Sequence, residues 1–285
     1  MTSFTDDEGV VIETVEWAVD APRAIVQISH GIGEHSGRYA ALAADLNRAG
    51  FTVVADDHRG HGATGMRQWG GDPSRLGSLG PGGLRATVAA IARFGRLTRQ
   101  RFPGVPLVLV AHSWGSLMGQ MAVNRQPDAY DGVVLSGTAY RLPGWMDAGD
   151  LNRRHRSLGT TGAEWLSRDP AVAAAWVADP LAFPAQTAKL IGMRDALRLL
   201  GRPARHLPSD LPVLIQVGSD DTLGAGRSAQ RLARAYRTRS GLTDVTVRVY
   251  DGARHEVYNE TNRDEVIGDL VRWIDDRVLH QEASA

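Results

Sequence analysis

The stretch Pro106-Leu107-Val108-Leu109-Val110-Ala111-His112-Ser113-Trp114-Gly115 decides how the chain is read. Pro106 to Ala111 is a short, unbroken apolar run, the pattern of a strand buried on both faces inside a parallel sheet. Gly115 to Arg125 has helix-compatible spacing, and Gly132 to Ser136 is a second apolar strand. Ser113 therefore occupies a sharp turn from strand to helix. In such a turn a serine hydroxyl stands at the carboxyl edge of the sheet, with helix N-terminal amides aimed at the same point. The bland reading is a serine that caps a helix, the commoner use of the residue. Ala111 stands where this kind of turn usually has glycine, adding one methyl where strand and helix approach.

Outward from this turn, strands and helices alternate. Val10 to Trp17, Ala24 to Ser29 and Phe51 to Ala55 read as strands; residues 38–49, closed by Gly50, and Gly82 to Arg99 read as helices. Downstream, Leu211 to Val217 and Thr243 to Tyr250 read as strands and Asp264 to Val278 as a helix. This is an α/β pattern, predicting a mostly parallel central sheet with helices on both faces. The alternation lapses between Ala139 and Pro208, which reads as an inserted helical cap. The expected organisation is a core of residues 1–138 and 208–285 with a cap of 139–207. In the cap, Asp169-Pro170 and Asp179-Pro180 each place an N-cap residue before a proline, predicting two helix starts. Trp145, Trp165 and Trp176 also fall there; a small core of the cap is the preferred role, a docking surface for lipid aggregates the other.

A serine hydroxyl becomes a useful nucleophile only when a histidine takes its proton, and that imidazole needs a carboxylate to orient it. Both are expected later in the chain, acid before histidine, at strand ends. Gly218-Ser219-Asp220-Asp221 follows the strand Leu211 to Val217, and Asp251-Gly252-Ala253-Arg254-His255 follows the strand ending at Tyr250. Carboxyl-end loops are where open α/β sheets place their sites. Only one of Asp220 and Asp221 can face His255, and Asp221 is the preferred acid, leaving Asp220 as a solvated or helix-capping carboxylate.

Composition narrows the field. The 32 basic and 32 acidic residues balance, so no global field draws the chain to nucleic acid. Lys189 is the only lysine, which leaves little for Schiff-base chemistry, and the absence of cysteine removes thiolate nucleophiles and Cys-containing zinc sites. Asp56, Asp57, His58 and His61 contain metal-ligand types at poor spacing, and Gly77 to Gly83 lacks the Gly-Lys-Ser/Thr of a phosphate loop. Neither metal nor cofactor is expected. Met1 to Gly9 is acidic rather than signal-like, and no stretch approaches about 20 apolar residues, so a cytoplasmic location is expected, with any membrane contact peripheral and through the cap.

These residues resemble the monoacylglycerol lipases and their relatives among the α/β-hydrolases over nearly the whole chain. His30-Gly31-Ile32-Gly33-Glu34-His35-Ser36-Gly37-Arg38-Tyr39 is similar to that family's oxyanion loop, and Asp57-His58-Arg59-Gly60-His61-Gly62 to its next loop. Gly218 to Asp221 resembles the acid loop, in which the third residue after the glycine is the acid, and Tyr250 to Glu256 resembles the histidine segment. Ser167-Arg168-Asp169-Pro170 and Asp179-Pro180-Leu181 resemble the cap of bacterial members. The resemblance implies Ser113, Asp221 and His255 as catalytic triad, the backbone amides of Ile32 and Trp114 as oxyanion hole, and a single-chain lipid ester as substrate. It also implies that Glu34 and Arg38 contact a glycerol headgroup, although a Glu and Arg four apart also make an ordinary surface pair. Trp114 and Ser116 depart from the smaller residues relatives carry beside the nucleophile, so the acyl pocket is expected to differ in shape. A short-chain esterase, lactonase or peptidase on the same machinery is the alternative, and a non-catalytic binding protein the remote one.

Overall fold

The computed structural model describes residues 2–147, 149–184 and 186–280. Its strands are β1 (Ser3–Thr5), β2 (Val11–Trp17), β3 (Ala24–Ser29), β4 (Phe51–Asp56), β5 (Leu107–His112), β6 (Gly132–Ser136), β7 (Val213–Gly218) and β8 (Val245–Tyr250). They form one sheet in the order β1-β2-β4-β3-β5-β6-β7-β8, with β1 and β2 antiparallel to their neighbours and the rest parallel. Every residue of β3 to β7 is buried, which is why these strands are mostly apolar, with Gln27 of β3 and Gln216 of β7 among the buried polar exceptions. At the edge, β8 leaves Arg248 and Val249 exposed.

Helices cover both faces. On one side α3 (Gly83–Arg101), α4 (Ser113–Arg125) and α8 (Ala225–Ala235) bury Leu84, Ile91, Met118, Val123 and Leu232 against Leu109, Leu135 and Ile215. On the other, α1 (Ala40–Arg48) and α9 (Arg263–Ile274) bury Leu42, Leu46, Val266 and Leu270 against Val26, Val108 and Val134. Full burial of each such side chain contributes about 1.5–3 kcal/mol, so the sheet is anchored from both sides. The resulting rigid platform presents the loops after β3, β5, β7 and β8 at one edge.

The sequence does not suggest β1, nor two of the helices. The short α2 (Gly62–Gln68) carries three glycine or alanine residues in its first turn and little apolar surface. Helix α8 is rich in arginine and alanine, and its buried stripe is made of the small Ser228, Ala229, Ala233 and Ala235 with Leu232. The helix after β5 starts at Ser113 itself, two residues earlier than the spacing suggested.

Between β6 and β7 the chain forms α5 (Pro170–Ala178), α6 (Thr187–Ile191) and α7 (Met193–Arg198). Asp169 caps α5 as expected, accepting a hydrogen bond from Ala171 N at 2.9 Å with Pro170 following. Asp179 does not start a helix: it ends α5, its Oδ1 accepts from Leu181 N in a local turn, and its Oδ2 is taken by His35. Trp165 and Trp176 pack with Ala163, Leu166 and Ala173 in a small cluster. Trp145 instead joins the main core, edge-on to Tyr140 with Arg227 over its ring.

Candidate active site

Strand β5 delivers Ser113 to the sheet edge with φ +52°, a left-handed conformation that costs a non-glycine residue about 1–3 kcal/mol and must be held by its surroundings. Gly115 supplies that hold. A Cβ there would fall 2.3 Å from the carbonyl oxygens of Ser29 and His30, so only glycine lets α4 press against the end of β3. The extra methyl of Ala111 faces Gly119, where a Cβ would lie 3.1 Å from it. The small residue that the turn lacks at position 111 is supplied one helical turn after Gly115.

Ser113, Asp221 and His255 meet. Ser113 Oγ lies 2.8 Å from His255 Nε2, and His255 Nδ1 lies 2.9 Å from Asp221 Oδ1. A carboxylate only accepts, so Nδ1 carries the proton and Nε2 is left to accept from the serine hydroxyl. Asp221 Oδ1 is further fixed by Leu223 N at 2.9 Å. Asp220 turns the other way and pairs with Arg154 of the insertion at 2.8 Å, neither free in solvent nor capping a helix. Burial alone would lower the His255 pKa, but the charge and hydrogen bond of Asp221, with Glu256 and Glu34 behind, raise it above its ordinary value.

Ile32 and Trp114 flank Ser113 and line one cavity with it. Among the described residues neither backbone amide donates to a protein acceptor, and Trp114, second in α4, has no intrahelical acceptor to use. The loop carrying Ile32 is braced from inside. Glu34 Oε1 accepts from Gly31 N and from Tyr39 Oη at 2.8 Å, and Arg38 spans Glu34 at 2.7 Å and Glu256 at 2.6 and 3.0 Å. Glu34 and Arg38 are thus no surface pair, their side chains being 5% and 12% exposed. They border a cavity with Tyr39, His112 and Glu256, separate from the cavity at Ser113.

The Ser113 cavity, about 90 Å³, is walled by Trp114, Leu117, Met146, Leu199 and Leu223. It adjoins a wider one of about 620 Å³ inside the insertion, and Gly149, Leu151, Trp165, Thr187 and Ala188 border both. Trp114 shapes the inner cavity. Ser116 does not, since its Oγ is turned to Ser113 O at 2.6 Å and Thr138 Oγ1 at 2.8 Å. Trp165 covers the histidine, its ring 4.7 Å from that of His255 and its carbonyl accepting His255 N at 3.3 Å.

The Asp-His loop after β4 lies beneath. His58 bridges Asp56 at 2.8 Å and Ser29 at 3.1 Å, Asp57 accepts from Ser36 N and Ala63 N, and Arg59 pairs with Asp6. Most of its polar atoms are held by one another, by Ser29 and by backbone, and among the described residues no three His, Asp or Glu side chains group as a metal site. His112 was not singled out by sequence, being masked by its place on an apolar strand. Its ring is 4.8 Å from that of His255, and burial, then the nearby His255, push its pKa down to about 4.

Residues 20–262 match the family described as serine aminopeptidase, S33. The chain is 31% identical to a monoacylglycerol lipase of Mycolicibacterium smegmatis over 95% of each protein. It is 28% identical to human monoglyceride lipase over 90% of this chain and 84% of that one. A solved structure of a thermostable carboxyl esterase from Bacillus coagulans in complex with glycerol superposes with a TM-score of 0.82 at 25% identity, covering 97% of each chain.

Proposed function

The chain belongs to the serine aminopeptidase S33 family and is a serine hydrolase of the α/β-hydrolase fold, and from that premise we propose that it cleaves monoacylglycerols to fatty acid and glycerol. The observation that carries this reading is an apolar cavity opening directly onto the hydrogen-bonded series Ser113, His255 and Asp221. Leu117, Met146, Leu199 and Leu223 offer an alkyl chain an apolar wall, with Asp147 the charged residue in the lining.

In this reading Ser113 Oγ attacks the ester carbonyl carbon while its proton passes to His255 Nε2. The carbonyl oxygen becomes an oxyanion held by the amides of Ile32 and Trp114; each donor of this kind is worth about 10²–10³ in rate. When the C–O bond breaks, His255 gives its proton to the departing glycerol oxygen, leaving the acyl group on Ser113. A water then attacks, losing its proton to the same nitrogen, and collapse of the second tetrahedral intermediate returns that proton to Ser113 as the fatty acid leaves. Asp221 keeps the imidazole in the required tautomer throughout. Glu34 and Arg38 are the residues proposed to contact the glycerol headgroup, from the loop that they brace. The insertion, residues 139–207, is the cap over this site.

Contact with a lipid surface is part of the proposal. Helix α5 has no charged or polar side chain from Pro170 to Ala178, and Val177, Met193 and Leu197 of the insertion are more than half exposed. Among the described residues no helix is long and apolar enough to cross a membrane.

The test is hydrolysis of a long-chain monoacylglycerol beside a short water-soluble ester, with Ser113→Ala as control. Preference for the monoacylglycerol, abolished in Ser113→Ala, is expected. Turnover of the short ester alone would move the activity to a general esterase, and full activity in Ser113→Ala would sink the mechanism.

A further inference from the structure

One five-residue segment of the insertion, Asp179 to Phe183, reaches both proposed oxyanion donors. On the Ile32 side, Asp179 Oδ2 lies 2.8 Å from His35 Nε2, and Phe183 N donates to Gly33 O at 3.0 Å. The contact is close enough that a Cβ on Gly33 would fall 2.1 Å from Phe183 O, and Gly33 itself sits at φ +76°. On the Trp114 side, the Phe183 ring lies 5.1 Å from the His61 ring, which stacks on the Trp114 ring at 5.2 Å and 26°. Ile32 is the residue between Gly31, which Glu34 holds from within, and Gly33, which Phe183 holds from without.

Neither contact is what a mere covering would need. A lid has to exclude water over Ser113, which the insertion does with Trp165 and Leu151. Asp179 and Phe183 do not border the Ser113 cavity; they grip the backbone and rings behind it. The second oxygen of the Asp179 carboxylate accepts from Leu181 N at 2.9 Å, which orients the carboxylate toward His35.

We infer that Asp179 and Phe183 are positioning residues for the oxyanion hole: seating of the insertion on the core and alignment of the Ile32 and Trp114 amides are one equilibrium. The inference rests on the assignment of those two amides as the oxyanion donors. Its consequence is that loosening the segment misplaces the two amides and slows attack, while the cavity that receives the ester keeps its walls. Displacements on the order of 1 Å at such donors cost up to about 100-fold in rate.

The experiment compares wild type with Asp179→Ala and Phe183→Leu in kcat, KM and affinity for an alkyl boronic acid, whose tetrahedral adduct on Ser113 places an oxygen in the oxyanion hole. Both variants should lose about 10-fold in kcat with KM within about twofold, and boronic acid affinity should fall in step with kcat/KM. Asp179→Asn, which keeps the local turn, serves if Asp179→Ala fails to fold, and should show the same split in smaller measure. A raised KM with kcat and boronic acid affinity unchanged would overturn the inference, reducing the segment to a wall. Failure of the proposed function itself looks different: wild type would then bind no boronic acid and hydrolyse no ester.

Discussion

The rings of His112 and His255 lie 4.8 Å apart, tilted by 54°, and the protein pushes their basicities in opposite directions. His112, buried with only Ser136 Oγ at 3.2 Å on its Nδ1, is lowered to about 4, whereas His255, against Asp221, is raised. One ring stays neutral so that the other can take a proton without a like charge beside it. Catalysis needs neutral His255 in the free enzyme, so kcat/KM should rise with pH along a single limb whose midpoint lies above 6.5, the ordinary histidine value. A limb centred well below 6.5 would contradict the assignment of His255 as base.

Asp221→Asn removes the charge that raises His255 and the acceptor that fixes its tautomer. We expect kcat to fall by roughly 10⁴ and the remaining limb to move to lower pH. Asp220→Asn weakens the half-exposed pair with Arg154 and the longer contact to His155, and should change kcat less than about threefold. Steady-state kinetics of the two variants side by side decide the acid; the reverse ranking would reassign it to Asp220.

His30 and His61 share the fate of His112. Burial, with neighbouring histidine rings adding to it, lowers His30 well below its ordinary value, and burial takes His61 to about 3. In the unfolded chain all three titrate near 6.5. Between that pH and about 4 the unfolded state therefore binds protons that the folded state refuses, and stability falls as pH falls. Each group contributes about 1.4 kcal/mol per pH unit, so the three together make a slope of roughly 4 kcal/mol per unit in the lower part of the window. Urea unfolding at pH 7.5, 6 and 5 measures this, and His112→Gln should flatten the slope by about a third. A free energy of unfolding that is level across those values would show that the rings are protonated in the fold.

Much of this is legible in the sequence, and the rest is hidden for definite reasons. The runs of β5, β6 and, apart from Gln216, β7 are apolar because both faces of each strand are covered, so their positions and the loops after them could be read directly. The proximity of Ser113, Asp221 and His255 follows once those loops share an edge. Asp179-Pro180 misled because an aspartate before a proline suits a turn as well as a helix start, and His35, distant in sequence, decides which. Arg38 was ambiguous for the same reason: its partner 4 residues away was visible, while Glu256, 218 residues away, was not. Local pattern identifies elements and loops; the buried ion network and the hold of Phe183 on Gly33 are contacts between segments far apart in the chain.

If the insertion meets a lipid surface, Val177 and Met193 are the side chains to test, being 54% and 65% exposed. Val177→Asp with Met193→Asp should lower the fraction sedimenting with phosphatidylcholine vesicles while leaving turnover of a water-soluble ester within about twofold, since neither borders the Ser113 cavity. Equal sedimentation of wild type and variant would remove this face from the proposal.

The fit of Ala111 against Gly119 makes the last prediction a coupled one. Gly119→Ala should gain about 1 kcal/mol from helix propensity, but its Cβ arrives 3.1 Å from that of Ala111, with Leu109 Cδ2 at 3.4 Å, so crowding on a β5 held from both faces offsets the gain. In an Ala111→Gly background the crowding is gone and the same substitution should stabilise. The coupling between the two positions, read from urea midpoints of the four proteins, should be about 1 kcal/mol or more, and additive effects would show that strand and helix do not meet as described. Gly115→Ala is the contrasting case. Its Cβ would sit 2.3 Å from backbone oxygens of Ser29 and His30, which no side-chain adjustment relieves. That substitution should cost about 3 kcal/mol or more, and in whatever protein still folds it should move Ser113 away from His255 and depress kcat.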